Sequence, residues 1–454
     1  MSFINSHEYC MMGYMQDSKK YFQNKRITLM GLGLLGRGVG DARYLAKCSA
    51  GLVVTDLKSR SELQSSLKEL RDFPDIQFHL GGHRLEDFQN RDLIIKAAGI
   101  PLGSPFIAEA KKNNVPVRMS TDLFVELSGV TTIGITGTRG KSTITYLVTH
   151  ILKTAGKKVL MGGNICGMST LEEIGEVTPE TIAVLELDSW QLQGFGEVHL
   201  SPHIAIFSTF MPDHMNYYHS DLESYFKDKA NIFLNQSPAD HVVVGGQVAP
   251  FLKQFNYSSK IKSKVSIIGL KDFPKNWQLQ ILGEHNQSNA ALAIEALRIF
   301  GLDEKDIQKG VETFNGVEGR LQLVRELQGI KIYNDTCSTT PESTKVALEA
   351  LDPDKKRNIL LIAGGADKGL DMRGVQKSIA EHCKKVYFLS GTGTKRVWGG
   401  EKSYDSLEGA FNTAISDAVL GDIVILSPAF ASFGMFKNEY DRGDQFNLVV
   451  SKLS

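Results

Sequence analysis

Residues 131–154 read TTIGITGTRGKSTITYLVTHILKT, and the middle of this stretch decides the fold. The run TTIGI is β-branched and apolar, as a buried strand requires, and ITYLVTHILKTAG after it carries a helical pattern. Between them stand Thr136, Gly137, Thr138, Arg139, Gly140, Lys141, Ser142 and Thr143. In a strand, loop and helix of this kind, backbone N–H groups point at phosphate oxygens and the lysine neutralises their charge. The hydroxyl after the lysine binds Mg²⁺. These residues are therefore expected to hold a magnesium nucleotide. Where the strict GxxxxGK[ST] pattern has its first glycine, this chain has Ile135.

On either side of this loop, short apolar runs alternate with longer amphipathic stretches. The runs are RITLMG, GLVVTD, DLIIKAAG, TIAVLELD, HIAIFST, HVVVGG, NILLIAGG, KVYFLSG and DIVILSPA. That rhythm predicts parallel βα units, and runs ending in Gly, Asp, Ser or Thr suit ligand-binding turns at the carboxyl edge of doubly wound sheets. The chain of 454 residues has room for three domains of ordinary size. Motif placement puts them at 1–119, 120–316 and 317–454, all α/β: a Rossmann-like domain, a P-loop ATPase-like domain and a second Rossmann-like domain.

A second glycine-rich loop supports this division. RITLM leads into Gly31-Leu-Gly33-Leu34-Leu-Gly36, and Asp56 ends the next apolar run. Such glycines allow a pyrophosphate to approach a helix N-terminus, while the acid takes a ribose hydroxyl. The ligand is read as a UDP-sugar, with a dinucleotide as one alternative and simple helix–strand packing as the other.

Lys+Arg and Asp+Glu both total 51, so no net charge draws the chain to nucleic acid or an anionic membrane. No stretch reaches the roughly 20 apolar residues of a spanning helix. The N-terminal residues lack the apolar core of a signal peptide. The five cysteines, Cys10, Cys48, Cys166, Cys337 and Cys383, have no CxxC spacing, which disfavours disulfides and zinc. A cytoplasmic protein that handles small molecules, without membrane insertion, is the expectation.

A magnesium nucleotide needs hard oxygen ligands. Glu186, at the end of TIAVLEL, is the best-placed carboxylate, with Asp188 two residues on and on the same face if the strand continues. Further along, Ser220-Asp-Leu-Glu223 has the pattern of a capping box. On the helix it opens, Leu222, Tyr225, Phe226, Ile232 and Phe233 share a face with Lys229. Either that lysine packs its stem and sends its ammonium to water, or it belongs with His214 in a charge cluster.

Taken together these motifs resemble the Mur ligase family over essentially the whole chain. Gly283-Glu-His285-Asn286-Gln-Ser-Asn289 is similar to its GxHNxxN segment, Tyr225-Phe-Lys-Asp-Lys229 to its YxxxK segment, and Asn334-Asp335 to its ND pair. The resemblance implies ATP as a substrate, held by residues 137–143, Asn286, Asn289, Arg320 and Asp335. It also implies two Mg²⁺ ions served by Ser142, Glu186, His214 and a carbamylated Lys229, with Lys141, Glu186, His214 and Lys229 as the catalytic set.

Within the family, Gly162-Gly163-Asn164, Glu186-Leu-Asp-Ser189-Trp-Gln191, Gly364-Gly365-Ala-Asp367-Lys368 and the segment from Leu426 to Asn438, followed by Arg442-Gly443-Asp444, resemble the glutamate-adding members. These imply UDP-N-acetylmuramoyl-L-alanine as the second substrate, near Gly31, Gly33, Leu34, Gly36, Asp56, Lys58, Gly99, Asn164, Ser189 and Gln191. They also imply glutamate near Thr339, Lys368 and Ser432, joined through an acyl phosphate by a monomeric enzyme, with domain closure before reaction. The D form is the first reading; an L-glutamate-adding ligase, or another Mur or folylpolyglutamate-synthase-type ligase, is the alternative. Cys337, Thr340, Gly319, Leu35 and Glu439 depart from the family pattern. A nucleotide-binding switch and an NAD-dependent dehydrogenase are the rivals from other classes.

Overall fold

The structure, a computed structural model, describes residues 17–453, so Cys10 and the reading of the N-terminus lie outside the described residues. The chain forms two compact units, one running to Trp277 and including Ser288–Val311, the other comprising Gln278–Gln287 and Glu312–Ser454. All ten apolar runs become strands, because each is long enough to cross a sheet and apolar on both faces.

The first unit holds two sheets. Strands β1 (Arg26–Met30), β2 (Gly51–Asp56), β3 (Gln77–Leu80), β4 (Leu93–Lys96) and β5 (Val117–Arg118) lie in the order β3-β2-β1-β4-β5, all parallel. Strand order reverses on either side of β1, so the crevice at its carboxyl end receives the loop Gly31 to Gly36. In the second sheet, β6 (Thr131–Thr136), β7 (Val159–Gly163), β8 (Ile182–Glu186), β9 (Ile204–Phe207), β10 (His241–Gly245) and β11 (Lys264–Ile268) lie in the order β11-β10-β9-β6-β8-β7. Here β6 sits between β8 and β9, which brings their carboxyl ends to the phosphate loop. One apolar core runs through this unit, from Ile27, Leu29 and Val54 to Leu185, Phe207 and Phe233.

In the second unit, β12 (Gln322–Leu327), β13 (Ile330–Asn334), β14 (Ile359–Ala363), β15 (Cys383–Leu389), β16 (Ser403–Tyr404) and β17 (Ile423–Leu426) lie in the order β12-β13-β17-β14-β15-β16. Edge strand β12 pairs antiparallel with β13, which departs from the expected all-parallel rhythm. Alternate residues feed two cores: Ile332, Leu360, Ile362, Val424 and Leu426 on one face, Tyr333, Leu361, Ala363 and Ile425 on the other. Helices covering both faces explain why these strands read as unbroken apolar runs.

Two local expectations change. The helix Leu222–Leu234 is capped by Asp221, which accepts from the backbone N–H groups of Glu223 and Ser224, while Ser220 adopts a left-handed conformation with φ of 63°. Asp188 does not extend β8. It caps the helix Ser189–Glu197 by accepting from the Gln191 N–H at 2.7 Å, and Gln191 returns a bond to the Asp188 N–H at 3.2 Å. Cys48, Cys166, Cys337 and Cys383 are free thiols. Among the described residues no helix is long and apolar enough to cross a membrane.

Candidate active site

The phosphate loop joins β6 to the helix Lys141–Thr154, and Gly140 enters that helix with φ of 87°. Gly137, with φ of 149°, lies so close to the Ser208 hydroxyl that any β-carbon would collide with it. The segment after β9 fastens the loop. Thr138 N–H donates to the Thr209 carbonyl at 2.8 Å, Arg139 N–H to the Thr209 hydroxyl at 2.8 Å, and Ser208 Oγ to the Arg139 carbonyl at 2.7 Å. Arg139 also pairs with Asp213 at 3.0 Å. Lys141 Nζ donates to the carbonyls of Gly137 at 3.0 Å and Thr138 at 3.3 Å, which keeps its charge at the mouth of the loop. Asn289 packs against Gly140, so this member of the pair expected to hold ATP lies at the loop; Asn286, in the second unit, donates to the Leu282 carbonyl at 2.7 Å.

Glu186 pairs in register with Ile135, one strand away from the loop, and is only 4% exposed. Its Oε1 accepts from Asn164 Nδ2 at 3.3 Å, whereas Oε2 is buried with no hydrogen-bond partner among the described residues. A buried carboxylate oxygen left unpaired beside a phosphate loop fits a cation ligand, because such a group is costly unless something positive meets it. Among the described residues no three His, Cys, Asp or Glu side chains gather as a metal cage. Magnesium is commonly held by one or two carboxylates with substrate phosphates supplying the rest, so the donor set suits that ion.

Lys229 is buried to 1% exposure and its ammonium does not reach water. Nζ donates to the Gly137 carbonyl at 2.9 Å, lies 3.4 Å from Thr136 Oγ1 and sits 4.9 Å from the centre of the Tyr225 ring. Burial, with Lys141 close by, holds its pKa well below the usual lysine range, against the opposing pull of Asp188, Asp213 and Glu186. His214, in a left-handed conformation with φ of 54°, lies against Trp190 with ring centres 4.6 Å apart. Burial lowers its pKa, the cations Lys141 and Lys229 add to the effect, and Asp213 opposes it.

In the N-terminal sheet, Asp56 accepts from the N–H groups of Gly33 and Lys58, both at 2.9 Å, so this acid shapes the glycine loop. Lys58, Leu34 and Gly99 are exposed. Gly167 donates to the Leu35 carbonyl at 2.9 Å, drawing the loop after β7 against the glycine loop. Asn164, on that loop, accepts from Arg37 at 2.7 Å. Ser189 is buried, and the Gln191 amide donates to Thr121 at 3.0 Å.

In the second unit, loops after β13, β14 and β17 meet at one sheet edge. Lys368 Nζ lies 3.0 Å from Thr339 Oγ1, and Ala366 and Ala431 form a bridge that carries buried Ser432 alongside. Asp335 is buried, accepts from Leu321 N–H at 2.9 Å and Ser427 Oγ at 2.7 Å, and is pushed up to about 6 by burial. Arg320 is exposed. Sequence reasoning placed Arg442 in a family motif but gave it no role at the site. Its wholly buried guanidinium donates to Thr336 Oγ1 at 3.0 Å and to the Thr336 carbonyl at 2.8 Å, and burial lowers it to about 10. An arginine on a mostly polar helix gives no sequence signal of such burial.

Three family descriptions match the chain: "Mur ligase MurD-like, N-terminal domain" over residues 25–119, "Mur ligase middle domain" over 135–278, and "Mur ligase, glutamate ligase domain" over 319–430. UDP-N-acetylmuramoylalanine--D-glutamate ligase of Borreliella burgdorferi (strain ZS7) is 36% identical, across 95% of this chain and 98% of its own. The enzyme of the same name from Roseiflexus sp. (strain RS-1) is 34% identical, across 95% and 99%. In fold, the chain is similar to UDP-N-acetylmuramate-alanine ligase MurC from Thermotoga maritima, with a TM-score of 0.60, 17% identity and coverage of 94% and 99%. With three matching domains and near full-length relatives above 30% identity, the chain belongs to the Mur ligase family.

Proposed function

We propose that this protein is an ATP-dependent ligase that joins D-glutamate to UDP-N-acetylmuramoylalanine in the synthesis of peptidoglycan precursors. The observation that carries this reading is the likeness, over 95% of the chain, to enzymes named for that activity. The geometry supplies a chemical account. ATP lies along residues 137–143, with Asn286, Asn289, Arg320 and Asp335 as further contacts, and Lys141 neutralises the transferred phosphoryl group. That group passes to the alanyl carboxylate, giving an acyl phosphate and ADP. The amine of glutamate then attacks the acyl carbon and phosphate leaves.

Ser142, Glu186, His214 and Lys229 would hold magnesium, two ions in this reading. When bound, magnesium supplies positive charge against the phosphate oxygens. Lys229 enters that set by taking up CO₂ on its neutral amine: an N–C bond forms, a proton leaves the nitrogen, and the product is a carbamate anion whose oxygens can act as ligands. Its depressed pKa favours the neutral amine this step needs. Gly31, Gly33, Leu34, Gly36, Asp56, Lys58, Gly99, Asn164, Ser189 and Gln191 form the proposed UDP-substrate site. Thr339, Lys368 and Ser432 take the carboxylates of glutamate. Domain boundaries at 119/120 and 316/317 follow from these assignments, and the enzyme acts as a cytoplasmic monomer.

Phosphate release from ATP, measured with and without UDP-N-acetylmuramoylalanine and D-glutamate, tests the reading. Release that requires both acceptors is the expected result. Release indifferent to either, or dependent on a pteroate acceptor, overturns it.

A further inference from the structure

Arg37 follows the glycine loop directly and begins the helix Arg37–Lys47. Its side chain points to the meeting place of two loops, where Gly36 closes on Gly167 and Leu35 accepts from the Gly167 N–H. There Arg37 Nη1 donates to Asn164 Oδ1 at 2.7 Å, and Asn164 turns its own amide toward Glu186. Among the described residues this is the guanidinium's one hydrogen bond, and it forms no ion pair. Four of the five N–H donors that an arginine carries are thus left for another acceptor. The residue is only partly exposed, so its charge lies in a setting drier than bulk water.

Position and chemistry agree on the acceptor. A planar fork of donors matches the oxygens of a phosphate group, and arginine is well suited to two parallel bonds with one. The adjacent glycine loop, closed by Asp56 through Gly33, is the proposed seat of the UDP moiety. Asn164 accepts from one side of the guanidinium and so orients the rest of the fork before ligand arrives, which lowers the ordering cost of binding. Asp41 is the acid whose field reaches Arg37, but it is buried and accepts from Ser169 Oγ at 2.6 Å, so it does not tie up the fork.

We propose that Arg37 is a further binding residue of this enzyme, contributing its guanidinium to the diphosphate of the UDP-linked substrate while Asn164 holds it in place. The inference rests on the UDP-substrate reading above. A charged contact of this kind is worth roughly ten- to a hundredfold in affinity.

The test measures equilibrium binding of UDP, of UDP-N-acetylmuramoylalanine and of ATP to the full-length protein and to Arg37→Met and Arg37→Lys. Arg37→Met is expected to weaken both uridine ligands by roughly ten- to a hundredfold and to leave ATP within about twofold. Arg37→Lys, which keeps the charge and a donor for Asn164 but loses the fork, recovers part of that loss. If Arg37→Met fails to fold, Arg37→Lys alone still reads out the fork as weaker UDP binding. Unchanged UDP affinity in a folded variant overturns the proposal and leaves Arg37 as a link between loops. Wild-type protein that binds UDP but not the muramoyl conjugate refutes the substrate reading while the Arg37 comparison is still made with UDP. Failure to bind either ligand refutes both.

Discussion

Lys229 Nζ lies 2.9 Å from the carbonyl oxygen of Gly137, so a lysine from the middle of an apolar helix face is anchored directly beneath the phosphate loop. A buried amine in that position is poised for chemistry that an exposed lysine is not. Lys229→Ala is expected to be inactive and to regain part of its ligase activity when formate or acetate supplies an oxygen ligand. Lys229→Arg should not respond, because a permanent cation fills the space. Steady-state assays with and without the additive check this, and near-normal activity of the alanine variant counts against a ligand role.

Lys141 and the glycine loop belong to different sheets of the first unit, which predicts a separation of effects. Lys141→Ala should lower ATP-dependent phosphate release by at least about a hundredfold. Binding of UDP-N-acetylmuramoylalanine, followed by calorimetry, should stay within a few-fold. Parallel loss of both in a folded variant contradicts the assignment of two nucleotide sites.

The 3.0 Å approach of Lys368 Nζ to Thr339 Oγ1 forms a small cationic and hydroxyl pair suited to a carboxylate. Lys368→Ala should raise the KM for D-glutamate by roughly ten- to a hundredfold, the value of one charge-assisted contact. The KM for ATP should change far less. A side-by-side assay with D-glutamate, L-glutamate, alanine, aspartate and lysine checks the substrate itself; preference for L-glutamate would overturn the stereochemistry alone, and preference for a non-acidic amino acid the glutamate assignment.

Asp41 predicts a stability effect away from the chemistry. Burial raises its carboxyl to about 6, above the ordinary value of 3.8, despite the hydrogen bond from Ser169. The folded state therefore holds the proton more tightly than the unfolded one. Its contribution is fully present below the unfolded pKa and is lost as pH rises through the folded value, so stability falls between about pH 4 and pH 6. Asp41→Asn should remove a share of that fall on the order of 1–3 kcal/mol. Denaturant titrations of both proteins across this range provide the measurement, and identical slopes in the two would refute it.

Residue pattern was enough to place the strand, loop and helix units, because a buried parallel strand must be apolar on both faces and a phosphate-facing turn must be rich in glycine. Gly137, Gly140, Lys141 and Glu186 were legible for that reason. The polar edge strands Gln77–Leu80, Val117–Arg118 and Ser403–Tyr404 were not, since a short strand at a sheet edge carries little periodic pattern. Nor was the choice of Asp221 over Ser220 as helix cap, because both residue types suit that place and the backbone of the preceding turn selects between them. The tertiary structure alone decided that Arg37 meets Asn164, 127 residues away, that Lys229 turns inward under the loop, and that Arg442 is sealed around Thr336. Local pattern records which face of an element is buried. The partner that a polar side chain finds there depends on which strand ends the sheet order sets side by side, and that order arises only when the chain is packed.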